Sequence, residues 1–359
     1  MVPLLIDCDT GIDDALALLY ACGSPEAELV GVTCVHGNVA ARQVADNTRA
    51  VLALAGRTDV EVALGAETPL LRPLTTAPET HGPRGLGYAE LPAPPQPLSP
   101  RSGPDLIVDV ARRRPGEVTL VTLGPLTNLA LALLREPRLP HLLRRWVLMG
   151  GSYRVAGNTA PTTEWNIHCD PHAAHLAVTR FAEARREGSR EGPPLPLALG
   201  LDVTERVRFT PAEVVRLARA AGSTPDPTLA PVDAAGAETR SVAANPVVRF
   251  IADALRYYME FHHRYDGFYG AFLHDPLAVA AALDPTLVES KELAVAVELT
   301  GTLTTGETVA DWRGVWGRPP TLAVAVTADV PRFVERFIER VGKLAAERGT
   351  DGPAVPRSG

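Results

Sequence analysis

Four carboxylates stand within eight residues near the amino terminus: Asp7, Asp9, Asp13 and Asp14, in the run L-I-D-C-D-T-G-I-D-D-A-L. Two like charges about 4 Å apart repel by roughly 1 kcal/mol in water and about 4 kcal/mol at an effective dielectric of 20. A fold that converges such groups at the mouth of a buried strand needs a cation or protons. All-oxygen donors without a His or Cys majority suit Ca²⁺ or Mg²⁺ rather than zinc. A plainer reading stands beside this one: acids at a helix N-terminus cap it, favour its dipole and stay solvated.

The elements that must position these acids are visible in the hydrophobic pattern. Val2, Leu4, Leu5 and Ile6 form an apolar run of strand length, Thr10-Gly11 breaks it, and Ala15 to Tyr20 reads as a buried helix. Leu29 to Val35 is a second buried strand, ending in His36-Gly37-Asn38. A helix over 40–55 and a third strand, Val60 to Leu64, follow. This alternation predicts an α/β fold, a single large domain with a mainly parallel central sheet flanked by helices. Ligands of such sheets bind at the carboxyl ends of the strands, which would put Asp9 and Asn38 on one rim.

Residues 65–104 are proline-rich and lack apolar periodicity. A loop of that length is functional or disordered. Its H-G-P-R-G-L-G segment, His81 to Gly87, suits a mobile lid, although a surface loop with a chance histidine fits as well. Regular structure resumes with a helix over 105–113, a strand over 118–123, a turn through Gly124-Pro125, a helix over 129–134 and a strand over 146–149. Asn158, Glu164, Trp165 and Asn166 lie in the loop beyond that strand. A strand over 196–201 and a helix over 212–220 lie between two apparent surface insertions, 183–194 and 222–241. The long helix 246–263 carries Tyr257, Tyr258, Phe261, His262 and His263, a stripe that reads more readily as core than as a base pocket. His274-Asp275-Pro276 opens another helix; strands over 293–299 and 322–326 and a helix over 331–344 end a domain spanning 1–345. The tail, 346–359, is expected to be disordered.

Composition narrows the classes. The chain has 359 residues, 46% hydrophobic and 21% charged, enough for a sizeable core. Its formal net charge of −7 argues against a nucleic-acid partner. Cys8, Cys22, Cys34 and Cys169 include no C-x-x-C pair, so free thiols in a reducing compartment are expected. No signal peptide and no membrane-length apolar run is seen, so the expected setting is cytoplasmic, without membrane contact.

Taken together, D-x-D-x-G-x-D-D, G-N, E-x-N and H-D-P in this order resemble the inosine-uridine type nucleoside hydrolases over roughly residues 2–345. The resemblance implies cleavage of ribonucleosides to ribose and free base around a Ca²⁺ ion at the strand ends, in a homodimer or homotetramer. Carried over by position, Asp9, Asp14, Asp275 and the Leu123 carbonyl match the metal ligands, and Asp9 the base that deprotonates water. Asp13, Asn38, Asn158, Glu164 and Asn166 match the ribose-binding set, with Trp165 as a wall and Asp275 reaching the sugar as well. His274 matches the leaving-group acid and His81 the histidine near the base, with Tyr258 in a relay to His274. Asp7 matches a carboxylate that supports the loop.

Three positions depart from the family's usual pattern: Thr10 for Pro, His36 for Ala and Trp165 for Phe. His274, where the purine-specific branch has Trp, implies a base-nonspecific or pyrimidine-tolerant enzyme. Two rivals remain. Asp7-Cys8-Asp9-Thr10 imitates the D-x-D-x-T motif of haloacid-dehalogenase-like phosphatases, but leaves Asp13-Asp14 without a role. A catalytically inactive, Ca²⁺-dependent ribose- or nucleoside-binding protein would keep the metal site without the acid chemistry.

Overall fold

The computed structural model describes residues 1–187, 192–224 and 240–350. Its strands are β1 (Val2–Cys8), β2 (Ala27–Cys34), β3 (Val62–Leu64), β4 (Thr119–Thr122), β5 (Arg145–Met149), β6 (Leu197–Leu199), β7 (Arg208–Phe209), β8 (Ala271–Phe272), β9 (Val288–Leu293), β10 (Val295–Val297), β11 (Thr308–Ala310) and β12 (Leu322–Ala328). Eight of them form one sheet in the order β3-β2-β1-β4-β5-β6-β12-β9. All neighbours are parallel except β12 and β9, which run antiparallel at the edge. This is the expected α/β domain with a mainly parallel sheet.

β1 explains why its sequence is apolar almost throughout. The pleat sends Leu4, Ile6 and Cys8 into the core on one face and Leu5 into the core on the other. A parallel strand covered by helices on both sides has no wet face and shows no alternation of polarity. The helix Ile12–Cys22 that follows is buried from Ile12 through Ala21, wedged against the helices His274–Leu283 and Val330–Thr350. A helix apolar on all sides belongs inside.

Several boundaries differ from the pattern reading. The segment expected as one strand over 293–299 is two: β9 ends at Leu293, and β10 pairs with β11 in a separate ribbon. β9, V-E-S-K-E-L, escapes the hydrophobic pattern because it is an edge strand with exposed charges, a common guard against edge-to-edge pairing. The expected strand over 196–201 stops at Leu199, and Leu201–Thr204 forms a helical turn. The last helix runs to Thr350, so 346–350 continues the fold rather than starting a tail, and 351–359 lie outside the described residues. Of the two apparent insertions, 183–187 complete the helix Pro171–Glu187, while 188–191 and 225–239 lie outside the described residues.

Candidate active site at the switch point of the sheet

β1 has β2 on one side and β4 on the other, and the chain leaves β1 and β4 toward opposite faces. The helix after β1 enters the core containing Leu4 and Ile6; the helix Thr127–Arg135 after β4 enters the core containing Leu5. Such a divergence opens a crevice at the carboxyl ends of the strands, where ligands of open α/β sheets bind. A cavity of about 580 Å³ lies there.

The acids converge on its floor. Carboxylate oxygens of Asp13, Asp14 and Asp275 all lie within 4.8 Å of one another, and all three residues are buried. Asp14 sits at the third position of its helix and accepts from the N–H of Gly11 (2.9 Å) and of Asp9 (3.2 Å), so it also caps that helix. Asp275 arrives from the start of the His274–Leu283 helix. Asp9 stands beside this triad: its Oδ2 accepts the Asn38 N–H at 2.8 Å, while Oδ1 is buried without a hydrogen-bond partner among the described residues. Gly37 and Gly124 wall this carboxylate. A Cβ on Gly124 would meet Asp9 Oδ1 at 2.8 Å, and one on Gly37 would collide with Oδ2.

Burial, followed by the charge of Asp14, raises Asp9 and Asp13 well above the usual carboxylate range. Burial and the Asp13 charge do the same to Asp275, and burial raises Asp14. No Lys or Arg is among the largest influences on these four groups. A hard divalent cation fits this set: oxygen donors only, uncompensated, with one orphaned oxygen. The Leu123 carbonyl, at the end of β4, adds a neutral oxygen and already accepts from Asn166 Nδ2 at 2.6 Å.

Around this floor stand the expected sugar-facing groups. Asn38 Nδ2 donates to Asp14 (3.2 Å), and its Oδ1 is buried without a partner among the described residues. Glu164 caps the short helix Trp165–Cys169, accepting the N–H groups of Asn166, Ile167 and Gly151. Asn158 accepts the Trp165 N–H at 3.0 Å. Asp9, Asp13, Asn38, Leu123, Asn158, Glu164, Trp165, Asn166 and Asp275 all line the cavity, with Asp14 directly beneath. The helix-capping role is therefore real for Asp14 and Glu164, but neither is solvated.

The opposite wall carries the histidines. His81 ends the short helix Pro78–His81, and its Nδ1 accepts the Ile12 N–H at 3.1 Å. Gly11 makes room for this: a Cβ there would lie 2.6 Å from His81 Nδ1. The glycine-rich stretch packs against the helix over 41–54 through Asn47 Nδ2, which donates to the Arg84 carbonyl at 2.8 Å, and just before it the Tyr257 hydroxyl donates to the Pro78 carbonyl at 2.9 Å. His274 Nδ1 pairs with the Thr204 hydroxyl at 2.8 Å. Burial lowers both histidines to about 3, so both rings are neutral at ordinary pH.

Two sequence expectations need correction. Tyr258 has no hydrogen bond to His274 among the described residues; its ring packs between His81 (5.5 Å) and His262 (4.5 Å), and the hydroxyl that pairs with His274 is that of Thr204. The aromatic stripe is not simply core, because Tyr258, Phe261, His262 and Tyr265 line the cavity. The sequence reading took His262 only as part of that stripe, and it missed the pairing with Asp266 and the presence of Glu205 and Phe272 on that wall. The spacing His262-x-x-x-Asp266, one helical turn, was the available signal.

The departures at Thr10 and His36 have partners. Thr10 shares a 2.6 Å hydrogen bond with Thr48, and His36 Nε2 pairs with Thr127, which donates to Asp170. Asp7, buried behind the site, accepts from Thr33 (2.5 Å) and Asn128 (2.7 Å), tying β1 to β2 and to the helix after β4.

The model of the inosine-uridine preferring nucleoside hydrolases matches residues 4–335. A pyrimidine-specific ribonucleoside hydrolase, RihA, from Enterobacter sp. (strain 638) is 36% identical over 345 residues, covering 96% of this chain and 99% of its own. The inosine-uridine preferring nucleoside hydrolase of Crithidia fasciculata is 34% identical, over 94% of this chain and 98% of its own. Among solved structures, the purine-preferring ribonucleoside hydrolase from Gardnerella vaginalis superposes with a TM-score of 0.82 at 32% identity, covering 96% of this chain and 99% of its own. The chain belongs to the inosine-uridine preferring nucleoside hydrolase family. Its class of activity is therefore that of a nucleoside N-ribohydrolase, which displaces the phosphatase and binding-protein readings.

Proposed function

We propose that this enzyme hydrolyses the N-glycosidic bond of ribonucleosides in a Ca²⁺-dependent reaction, releasing ribose and the free base. The observation that carries this is the buried cluster of Asp13, Asp14 and Asp275 beside the half-orphaned Asp9, facing two histidines across one cavity. Asp9, Asp14, Asp275 and the Leu123 carbonyl would hold the ion. Ca²⁺, which takes 6–8 oxygens, would supply positive charge for gripping sugar hydroxyls and Lewis acidity toward a water molecule.

The protein groups divide the remaining work. Asp9 Oδ1, free of protein donors, receives the proton of the attacking water. Asp13, Asn38, Asn158, Glu164 and Asn166 orient the ribose. Their carboxylates and amide oxygens favour the positive charge that develops on the sugar as the bond to the base breaks. Trp165 closes the sugar side with an apolar face. His274 and His81 stand on the base side. With their Nδ1 atoms engaged by Thr204 and Ile12, each ring presents Nε2 to the leaving group. His274 is the acid-side group of the resemblance.

His274 in place of a bulky indole supports a base-nonspecific or pyrimidine-tolerant enzyme, and the named relatives span both preferences. Family resemblance supports a homodimer or homotetramer, which light scattering would test. Among the described residues no helix is long and apolar enough to cross a membrane, and the proposed setting is cytoplasmic.

The experiment is ribose and base release from inosine, uridine, cytidine, adenosine and guanosine, with protein as purified, chelator-stripped and Ca²⁺-restored. Calcium-dependent release on uridine or cytidine at least matching inosine is expected. Release that survives stripping would remove the ion from the reaction. Inertness on all five would sink the substrate class.

A further inference from the structure

Three histidines line the base side of the cavity, and they are held differently. His81 meets a backbone N–H and His274 a threonine hydroxyl. His262 meets a carboxylate: its Nδ1 lies 2.6 Å from Oδ2 of Asp266, the C-cap one turn on from it at the end of the helix Pro246–Tyr265. Its ring is 6% exposed, packed on Tyr258 at 4.5 Å and edge-on to Phe272 at 4.7 Å. Its other nitrogen, Nε2, is buried and has no hydrogen-bond partner among the described residues. A buried ring nitrogen without a partner is costly, and here it belongs to a cavity-lining residue.

Deepening the hydrolase reading above, and resting on it, we propose that His262, oriented by Asp266, delivers the proton that the departing base takes up. A carboxylate on one ring nitrogen fixes the tautomer and stabilises the imidazolium, so the other nitrogen can give and regain a proton. As the C1′–N bond breaks, its electron pair goes to the base. The Nε2 proton goes to that base, water adds to C1′, and the water's proton goes to Asp9. Asp266 is 45% exposed, so the pair reaches solvent, and the ring regains its proton there after each turnover. The titratable groups facing the pair are Tyr258 on its own helix, His81 from the Pro78–His81 helix, His274 from the next helix and Glu205 after β6. In this reading His274, the acid-side group of the resemblance, joins His81 in hydrogen-bonding the base, and the proton itself comes from His262.

A merely structural pair would close the C-terminus of its helix, where a protonated histidine is favourable. The two roles separate by leaving group. Uridine needs a proton on its base; nitrophenyl riboside leaves as a stable anion. His262→Gln should lower kcat on uridine by about 100-fold and on nitrophenyl riboside by no more than about threefold. Asp266→Asn, at a half-exposed position, should lower uridine turnover and move the alkaline limb of its kcat profile to lower pH, leaving the nitrophenyl profile unmoved. His263→Gln, outside the cavity lining, should match the wild type. Equal losses on both substrates, or an unmoved uridine profile in Asp266→Asn, overturn the proposal for His262 alone. A wild-type enzyme inert on both substrates overturns the hydrolase reading and the pair's role with it.

Discussion

The backbone N–H of Ile12 donates to Nδ1 of His81 at 3.1 Å, across 69 residues of sequence. This bond fastens the glycine-rich loop to the first turn of the helix that carries Asp13 and Asp14. It also satisfies one of that helix's unpaired N–H groups. The floor and the base-side wall of the cavity therefore share one hydrogen bond.

His81→Phe should accordingly injure both stability and catalysis. The buried Ile12 N–H would lose its acceptor at a cost of roughly 1–3 kcal/mol. Urea unfolding should show the loss, and turnover of every nucleoside should drop. Unchanged stability with lost activity would mean that water replaces the imidazole.

Asp9→Ala is expected to reduce kcat by about 10³-fold or more while leaving far-ultraviolet circular dichroism unchanged. Asp9 is raised by burial and by Asp14. Without Ca²⁺, then, the variant should be no less stable than the wild type, because a repelling buried acid has gone. Retained turnover would move the general base elsewhere.

Ca²⁺ should stabilise the fold because the carboxylate cluster is assembled only in the folded chain. At a free concentration 100 times Kd the gain is about 2.7 kcal/mol. Calorimetry of stripped protein with and without Ca²⁺ reads this directly, and a thermal midpoint indifferent to the ion would refute the site. Asp14→Asn and Asp275→Asn should each abolish the gain.

Asp7 gives stability a pH dependence of definite sign. Burial pushes it from 3.8 up to about 7, against the opposing hydrogen bonds from Asn128 and Thr33. Between those values the folded chain holds a proton that the unfolded chain has released, so its contribution is full below about pH 4 and is lost as pH rises through 7. His36, His81 and His274, all lowered by burial, oppose this trend by destabilising the fold on acidification. The comparison with Asp7→Asn isolates the carboxyl. The variant's stability relative to wild type should improve from pH 4 to pH 7, by on the order of a few kcal/mol. A pH-independent difference would show that Asp7 titrates alike in both states.

The acids were legible because they cluster in sequence. Asp9, Asp13 and Asp14 share one strand-to-helix turn, and an apolar strand followed by an apolar helix leaves them one place to go. Asp275 lies far along the chain and joined them only through the likeness of its H-D-P motif. β9 was invisible because an edge strand is specified by the charges that protect it. His262 was hidden for a different reason. Among Tyr257, Tyr258 and Phe261 it resembles packing, and the cavity that exposes one face of that helix is made by the loop at 78–87 and by β8, neither of which the helix's own periodicity reveals.

Gly37 and Gly124 contribute no functional group, yet they enclose the Asp9 carboxylate between two turns of bare backbone, one after β2 and one after β4. A survey that seeks essential side chains by replacing them with alanine would class glycine as already blank. Here alanine is the intrusive residue. One methyl group at either position should silence the enzyme as thoroughly as deleting Asp9, so the tolerance of this site to drift is limited by volume at two positions that carry no chemistry.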